Sequence, residues 1–225
     1  MRVLRYDEPF NYSAINNFAV EHASSEYLCL LNDDIQMIEP DWLTEMVSLA
    51  VRGKVGAVGA RLLYADNTVQ HGGVVLGVMG VANHLHKHVD VNHPGWFGRL
   101  QLCQELSAST AACLVVKRSR YLEVGGLDEK SLSVAFNDID FCLRLREAGY
   151  RNLWTPFATL YHMESATRGS DMEADKFERF KDEVIYMQKR WGELLQSDPF
   201  YNPNLSLEDI NMSLAEPPRL TRPWL

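Results

Sequence analysis

Two neighbouring carboxylates, Asp33 and Asp34, follow an apolar run at residues 27–31 and are separated from it only by Asn32. Oxygen ligands on such a loop suit Mg²⁺ or Mn²⁺, which share their coordination with substrate phosphate oxygens. Polar residues beyond the carboxyl end of a buried strand also lie where α/β sheets bind their ligands. The same three residues are also typical of a turn in which Asn32 and the two aspartates form hydrogen bonds to the backbone. The loop is therefore a candidate cation site, with a structural turn as the alternative.

A second pair of carboxylates, Asp138 and Asp140, opens a predicted helix. Acids at a helix N-terminus are stabilised by unpaired backbone N–H groups and by the helix dipole, so either residue could simply be a cap. Asp140 precedes Arg144 by four positions, a spacing that favours an ion pair on one helix face. At the same offset Asp138 has an apolar residue, Cys142. Asp138 is thus the freer carboxylate and the candidate general base.

A single histidine, His162, ends a short predicted strand and is followed by a loop of small residues that carries Arg168. Imidazole is a common metal ligand, although a lone histidine is more often structural. The guanidinium of Arg168 suits phosphate oxygens, with a solvated surface charge as the alternative. The functional interpretation of His162 depends on the two acidic stretches described above.

The elements that must position these residues alternate between helical and strand patterns, which is typical of an α/β domain. Ser13 is expected to cap the first helix, and the strand at 27–31 is expected to be central because both its faces are apolar. A helix at 173–195 is amphipathic and should pack on the domain, followed by an irregular tail after Asp198. The other predicted elements are a helix from Pro40 to Ala50 with Leu43 on its apolar face, strands at 55–60 and 110–116, a hairpin at 61–76, a long loop at 77–104, a helix at 138–148, and two short strands at 151–154 and 158–161.

The composition narrows the class of protein. With 225 residues, of which 46% are apolar, the chain can bury the core of one compact domain. A formal net charge of −8 argues against nucleic-acid binding, which depends on clustered Lys and Arg. The four cysteines lie mostly among apolar neighbours, which predicts buried reduced thiols and a cytoplasmic setting. The sequence contains neither an apolar run of transmembrane length nor a signal-peptide core at its start.

Taken together and in this order, these stretches resemble glycosyltransferase family 2, the inverting enzymes with a GT-A fold, especially the bacterial members that build surface polysaccharides. The resemblance runs from about residue 9 to residue 169. It implies an α/β fold in which a GT-A-like, partly Rossmann-like mixed sheet is flanked by helices, with a C-terminal amphipathic helix. The matching stretches are 9–13, 32–34, 125–129, 137–138 with 143–144, and 161–162.

The resemblance assigns a metal site and a diphosphate site. The family's Asp-x-Asp metal motif falls on residues 32–34, so that Asp34 is the metal-binding aspartate and Asn32 stands where the first aspartate is usual. His162 matches a histidine that completes the coordination in related transferases. Asp33 and Arg168 are expected at the diphosphate of the donor. The implied cofactor is a divalent cation, Mg²⁺ or Mn²⁺.

The resemblance also assigns the base and the acceptor residues. The family's Glu-Asp pair falls on Asn137 and Asp138, which makes Asp138 the catalytic base and Asn137 a second departure. Inverting transfer needs one carboxylate to take the proton of the acceptor hydroxyl and a cation to neutralise the departing diphosphate. Gly126 is expected to form a tight turn near the acceptor, with Asp128 as a partner for its hydroxyl groups. Trp96 is expected to stack on a sugar ring.

The implied partners are a nucleotide-diphosphate sugar donor and a glycan or lipid-linked glycan acceptor, with no nucleic acid. Residues 1–170 are expected to be the C-terminal portion of a GT-A domain, and residues 171–225 a helix and irregular tail packed on it. The family's N-terminal nucleotide-binding segment, the other half of the donor site, is expected to be missing from this chain. The expected location is the cytoplasm, with peripheral docking at the inner membrane as a further possibility.

Two other classes of function stay open. A non-catalytic module could bind glycan or a partner chain through residues 77–104 and the helix at 173–195. A zinc-binding protein could use His84, His86 and His88, because alternation places them on one face of an extended segment. The favoured interpretation of residues 77–104 is a loop that contacts the acceptor or covers the site.

Overall fold

The computed structural model describes residues 2–163 and 174–220, which form a mixed α/β fold. The helices are α1 (Tyr12–Glu21), α2 (Trp42–Ala50), α3 (Arg118–Glu123), α4 (Asn137–Glu147) and α5 (Ala174–Gln196). The strands are β1 (Tyr27–Leu31), β2 (Ile35–Met37), β3 (Val55–Leu63), β4 (Val69–His71), β5 (Val74–Leu76), β6 (Ala82–His84), β7 (Gln104–Leu106), β8 (Cys113–Lys117) and β9 (Arg151–His162). Short 3₁₀ helices span Val78–Gly80 and Trp96–Gln101.

The main sheet of these residues is mixed, with the strand order β1–β8–β3–β9–β2. β3 and β9 run parallel, while the other neighbours along this order are antiparallel. β4 pairs with β3, β7 pairs with β9, and β5 and β6 form a separate two-stranded sheet. The long strands β3 and β9 therefore organise the sheet, and His162 is the last residue of β9.

Helices cover both faces of the sheet. On one face, Trp42 and Met46 of α2 form an apolar cluster with Val58 of β3. On the other face, Phe141 of α4 and Trp191 of α5 share a cluster with residues of β1, β3 and β8. Each helix thus buries an apolar stripe against the sheet, as an α/β domain requires. The expected mixed sheet flanked by helices, with a C-terminal amphipathic helix, is confirmed.

The last helix and the tail both pack on the domain. Trp191 of α5 is buried, and Asp198, which follows the helix, is also buried. The carboxylate of Asp198 accepts hydrogen bonds from the backbone N–H of Leu76 at 2.9 Å and from Ser107 Oγ at 2.8 Å. Beyond it, apolar side chains of the irregular tail form a small cluster with residues of the 75–85 region. Within the ranges described, no helix is both long enough and apolar enough to cross a membrane.

Three expectations about individual elements are wrong. Asn11, not Ser13, caps α1, because its side chain accepts from Ala14 N at 2.9 Å while Ser13 Oγ is buried and donates to Leu132 O. β1 lies at the end of the strand order and alternates between buried and exposed residues, with Leu31 39% exposed. The two short strands at 151–154 and 158–161 are one strand, β9, whose register shifts around Pro156. A bulge is where a strand tolerates a proline, which cannot donate to the ladder.

Burial also differs from expectation at single positions. Of the four cysteines, Cys113 and Cys142 are buried, whereas Cys29 and Cys103 are exposed, so the prediction of buried thiols holds for only half of them. On α2, Leu43 is exposed although it was expected on the apolar face, and the neighbouring Trp42 is buried instead. Both errors have the same cause, since apolar neighbours in sequence do not reveal which side chain the sheet covers.

Candidate active site

The loop that follows β1 meets the last residue of β9. β2 pairs antiparallel with the end of β9 in the register Ile35 to His162, which brings residues 32–34 beside the imidazole. His162 Nε2 lies 3.1 Å from Asp34 Oδ1 and 3.3 Å from Asn32 Nδ2. Strand pairing thus joins two positions that are 128 residues apart in sequence, 34 and 162.

The orientation of the imidazole is set by Gln70 of β4. The Gln70 side-chain Nε2 donates to the backbone oxygen of His162 at 3.3 Å, which turns its Oε1 toward His162 Nδ1 at 2.7 Å. Nδ1–H therefore donates to Gln70, and in the neutral ring the lone pair of Nε2 faces Asp34. A polar group that fixes one ring nitrogen so that the other can bind a metal is the usual support of a histidine ligand.

Asp34 and His162 fit a divalent cation. Asp34 Oδ1 is buried and has no hydrogen-bond donor among the described residues, although the acceptor Nε2 lies 3.1 Å away. Two acceptors that face each other are satisfied by a cation placed between them. Asn32 presents its amide nitrogen to His162, and its Oδ1 lies 3.4 Å from Tyr12 Oη. Asn32 would have to turn its amide over to become a ligand.

Asp138 stands at the start of α4. Its Oδ2 accepts a hydrogen bond from Ala111 N at 3.0 Å, and its Oδ1 accepts from Ile139 N at 2.8 Å. Burial raises the pKa of the Asp138 carboxyl, and hydrogen bonds from Ala111 and Thr110 oppose that effect only in part. The carboxylate lines a cavity of about 210 Å³. A carboxylate with a raised pKa at a cavity is suited to accept a proton from a bound hydroxyl.

The segment before β8 connects the two groups. The backbone N–H of Ala111 holds Asp138, while its backbone oxygen accepts from Tyr12 Oη at 3.0 Å. The next residue, Ala112, accepts from the backbone N–H of Asn32 at 3.0 Å. Asp34, His162, Asn32 and Asp138 therefore belong to one contiguous network, although no pattern in the sequence links them directly.

Two further polar residues, His84 and Lys87, face this network. Together with Gln70, Thr110 and His162 they line a cavity of about 90 Å³, and His84 also lines the cavity at Asp138. Burial, assisted by the positive charge of Lys87, lowers the pKa of His84 to about 3. This imidazole is therefore neutral near pH 7. Sequence reasoning did not single out Lys87 or Gln70. Gln70 could have been noticed as a polar residue inside an apolar strand. Lys87 could have been noticed as the cation among the histidines of residues 84–88.

The histidines of the 84–93 segment do not form a zinc site. His84 Nδ1 lies 2.6 Å from Nδ1 of His71, whereas His86 Nε2 accepts from the backbone N–H of Trp96 at 3.0 Å. The ring of His88 stacks on Tyr64, with centroids 4.9 Å apart. No group of three or more His, Cys, Asp or Glu side chains in residues 2–163 and 174–220 could hold a metal ion. The zinc alternative is therefore wrong, because successive turns send the three rings into different surroundings.

Comparison with known proteins shows which family the sequence resembles. The sequence model of glycosyl transferase family 2 matches residues 1–107. An uncharacterized protein, y4gI, of Sinorhizobium fredii (strain NBRC 101917 / NGR234) is 54% identical over 217 residues, which are 96% of this chain and 24% of that protein. The O-antigen biosynthesis protein RfbC of Myxococcus xanthus is 38% identical over 220 residues, 96% of this chain and 16% of that protein. Over its first 107 residues the chain is therefore similar to glycosyltransferase family 2.

The chain spans a quarter or less of the length of these two relatives. Among solved structures, the crystal structure of GalNAc-T7 with UDP, GalNAc and Mn²⁺ superposes with a TM-score of 0.63 at 11% identity, over 93% of this chain and 41% of that one. At this identity the likeness concerns the fold alone. It supports a GT-A fold for this chain.

One departure of this chain from the expected pattern has a structural explanation. Asn137, which stands where the resemblance places a glutamate, is buried and donates from Nδ2 to Val134 O at 2.8 Å. It therefore supports the turn into α4. The remaining carboxylate of that pair, Asp138, lines the cavity.

The other expected site residues make no hydrogen bond to this network among the described residues, or lie outside them. Asp33 is exposed, and Arg168 lies outside the described residues. Asp128 accepts from the backbone N–H groups of Lys130 and Ser131 and lines a different cavity of about 340 Å³. Gly126, which follows Gly125 in that cavity's wall, has a φ of 69°, and a side chain there would collide with Asn17, so it forms the expected tight turn. Trp96 lines a third cavity.

Proposed function

We propose that this chain carries the catalytic part of an inverting, metal-dependent glycosyltransferase. It would transfer a sugar from a nucleotide-diphosphate sugar to a hydroxyl group of a glycan or lipid-linked glycan during surface polysaccharide synthesis. The observation that carries the proposal is the network in which the raised-pKa carboxylate of Asp138 and the acceptor pair of Asp34 and His162 are joined through residues 110–112.

Asp138 acts as the base in this mechanism. The acceptor hydroxyl attacks the anomeric carbon in line with the bond to the diphosphate, and its proton moves to a carboxylate oxygen of Asp138. A new bond forms from the acceptor oxygen to the anomeric carbon with inversion, while the bond to the diphosphate oxygen breaks and its electron pair leaves with the diphosphate. A glycoside hydrolase would need a second carboxyl group beside the scissile bond, whereas a diphosphate leaving group does not.

The leaving group requires positive charge. A divalent cation held by Asp34 and His162 would neutralise the charge that develops on the diphosphate. Lys87 lines the cavity that contains His162, and its ammonium group suits a phosphate oxygen of the donor. Asp33 and Arg168 remain predictions for the same diphosphate. Two similar proteins support this assignment, since one is an O-antigen biosynthesis protein and the other was crystallised with UDP, GalNAc and Mn²⁺.

The acceptor side remains a prediction that rests on Gly126, Asp128 and Trp96. A location in the cytoplasm, at or near the inner membrane, likewise follows from the resemblance to polysaccharide-building enzymes. The location and the acceptor both belong to the proposal. Synthesis of surface polysaccharide from nucleotide sugars requires a nucleotide-sugar pool, and it requires a carrier that holds the growing glycan.

The proposal is tested in a protein that also supplies the nucleotide-binding half of the donor site, because this chain without that half is expected to be inactive. This protein is incubated with a glycan acceptor and UDP-, GDP- or dTDP-sugars, and release of the nucleoside diphosphate is measured. We expect release that requires Mn²⁺ or Mg²⁺ and stops when EDTA is added. Asp138→Asn should lower turnover by roughly a hundredfold or more while it retains Mn²⁺ binding, because a positioned base contributes about that factor. Asp41→Asn is the matched control, since Asp41 is exposed and its side chain makes no capping bond.

Two results would contradict the proposal. Nucleoside diphosphate release at the wild-type rate in Asp138→Asn would show that Asp138 is not the catalytic base. Release that persists in EDTA would show that the reaction does not need a divalent cation.

A further inference from the structure

We infer that a cavity of about 490 Å³ beside the candidate active site is a subsite for one sugar ring of the acceptor glycan. The cavity is formed where the 86–97 segment meets residues 210–212 of the tail. The assignment to the acceptor rests on the proposed function, whereas the recognition of a sugar ring rests on the four features of the cavity that follow.

The first feature is an aromatic wall. Trp96 and Phe97 line the cavity and contact each other edge to face, with ring centroids 4.5 Å apart at an interplanar angle of 70°. Trp96 is 37% exposed and Phe97 is 85% exposed. Large exposed aromatic side chains at a cavity mark a binding surface rather than a core. The C–H face of a pyranose ring is the part of a sugar that packs against such a wall.

The second feature is a buried imidazole with a free donor. His86 is only 9% exposed, and its Nε2 accepts from the backbone N–H of Trp96 at 3.0 Å. Burial is the main cause that lowers the pKa of His86 to about 4, so the ring is neutral near pH 7 and carries its proton on Nδ1. Nδ1 is buried and has no hydrogen-bond partner in the described part of the chain. A buried donor without a partner favours a ligand that supplies an acceptor, and a sugar hydroxyl does so.

The third feature is backbone strain at the cavity wall. His86, Phe97 and Met212 all line the cavity and all have left-handed backbone conformations, with φ of 60°, 51° and 58°. Non-glycine residues rarely adopt this region, and such strain concentrates at ligand sites. The three residues come from different parts of the chain, so one local turn does not account for them.

The fourth feature is continuity with the candidate active site. Lys87 lines this cavity and also the smaller one that contains His162, and His84 continues from there to Asp138. A glycan with one ring against Trp96 could therefore extend its next residue toward the base. A purely apolar chain would leave the His86 donor unpaired, which argues against the lipid part of an acceptor as the occupant.

The experiment observes the tryptophan indole N–H signals of ¹⁵N-labelled protein by NMR. The chain has five tryptophans, and Trp96→Phe identifies the signal of Trp96. The probes are the methyl glycosides of glucose, galactose, mannose, rhamnose, N-acetylglucosamine and N-acetylgalactosamine, each titrated to tens of millimolar. Uridine is included as an aromatic ligand without a pyranose. Trp154, which is buried and donates to Ala60 O, is the internal reference for an intact core.

We expect at least one glycoside to move the Trp96 signal in a saturable manner while the Trp154 signal stays in place. His86→Phe should weaken that binding at least tenfold, and His88→Phe should not, because His88 stacks on Tyr64 instead of lining the cavity. Phe97→Asn is a second test that does not disturb His86, since Phe97 is exposed and asparagine tolerates a left-handed backbone. It should also weaken the binding.

The inference is overturned if no glycoside moves the Trp96 signal, if only uridine does, or if both His86→Phe and Phe97→Asn bind as the wild type does. The measurement uses neither metal nor donor, so its failure differs from failure of the proposed function. Sugar binding without nucleoside diphosphate release would contradict the proposed transferase function and favour a glycan-binding module. Release without sugar binding would overturn this subsite alone.

Discussion

Asp138 holds its carboxylate among buried neighbours, where burial outweighs the hydrogen bonds that favour the charged form and raises the pKa. Relative to the unfolded chain, the folded state therefore disfavours the charge. The resulting cost to stability is absent below the unfolded pKa of about 3.9 and is fully present above the raised folded pKa. The ionised Asp138 carboxylate therefore destabilises the folded state, which is consistent with a role in catalysis.

Asp138→Asn should therefore stabilise the protein at pH 7, because it removes a buried charge, by about 0.5–2 kcal/mol, the range of common single stabilising substitutions. The advantage should shrink as the pH falls toward 4, where the wild-type carboxyl becomes neutral. Urea unfolding at both pH values measures it, with Asp41→Asn as the control on a solvated aspartate. A variant less stable than wild type at pH 7 would show that the carboxylate contributes more through its hydrogen bonds than burial costs.

Asn32 is the other residue at which the site departs from the expected pattern. Asn32→Asp adds a negative charge beside the pair of Asp34 and His162 and removes an amide that donates to Nε2. Because the affinity of a cation site follows the charge of its ligands, we expect Mn²⁺ to bind about tenfold more tightly. Calorimetric titration measures the affinity, and Asn204→Asp in the exposed part of the tail is the control. Unchanged or weaker binding would place the cation elsewhere.

At the scale of elements, α4 and α5 are joined through one buried carboxylate. Asp140 accepts from Arg144 Nε at 2.7 Å and from Trp191 Nε1 at 2.9 Å, and Arg190 Nε of α5 lies 3.4 Å away. The bonds to α5 hold the last helix over α4. The helix α4, which carries Asp138 in its first turn, is thus positioned by α5 as well as by the sheet.

Asp140→Ala should destabilise the protein by about 3–5 kcal/mol, because it leaves Arg144 and the buried indole N–H without their acceptor. Denaturant unfolding checks the size of the effect. Asp182→Ala is the control, since that side chain is exposed on the same helix as Trp191. A loss below about 1 kcal/mol, the range of surface pairs, would mean that water replaces the carboxylate.

At the scale of the whole molecule, the candidate metal site joins segments that are distant in sequence. Asp34 follows β1, Gln70 belongs to β4, and His162 ends β9. A cation that binds only the folded arrangement stabilises it by mass action, by about 2.7 kcal/mol at a hundredfold excess over the dissociation constant. Mn²⁺ should therefore raise the melting temperature of the wild type.

Asp34→Ala and His162→Ala should abolish that rise, and EDTA should reverse it in the wild type. His22→Ala is the control, because His22 is exposed on another part of the surface. Thermal melts with and without Mn²⁺ check the prediction. An equal rise in the two site variants would show that the cation binds at another place.

The sequence by itself determined the features that depend on near neighbours along the chain. The strand at 27–31 and the helix that opens at Asn137 lie where periodicity predicted them, and Asp140 and Arg144 form the predicted ion pair. The mixed α/β fold also followed, because alternating helical and strand patterns can bury their apolar faces in few ways. The ordered polar stretches predicted the family, which the comparisons confirm.

Only the tertiary structure decided which polar groups meet. The bond between His162 and Gln70 spans 92 positions, and that between Ala111 and Asp138 spans 27, so both depend on strand register and on how α4 packs. The same applies to the orphaned donor of His86 and to the exposed face of β1, because burial is decided by what covers a residue and not by its neighbours in sequence. Periodicity places a side chain on a face of its element, and only packing between elements sets its partners and its pKa.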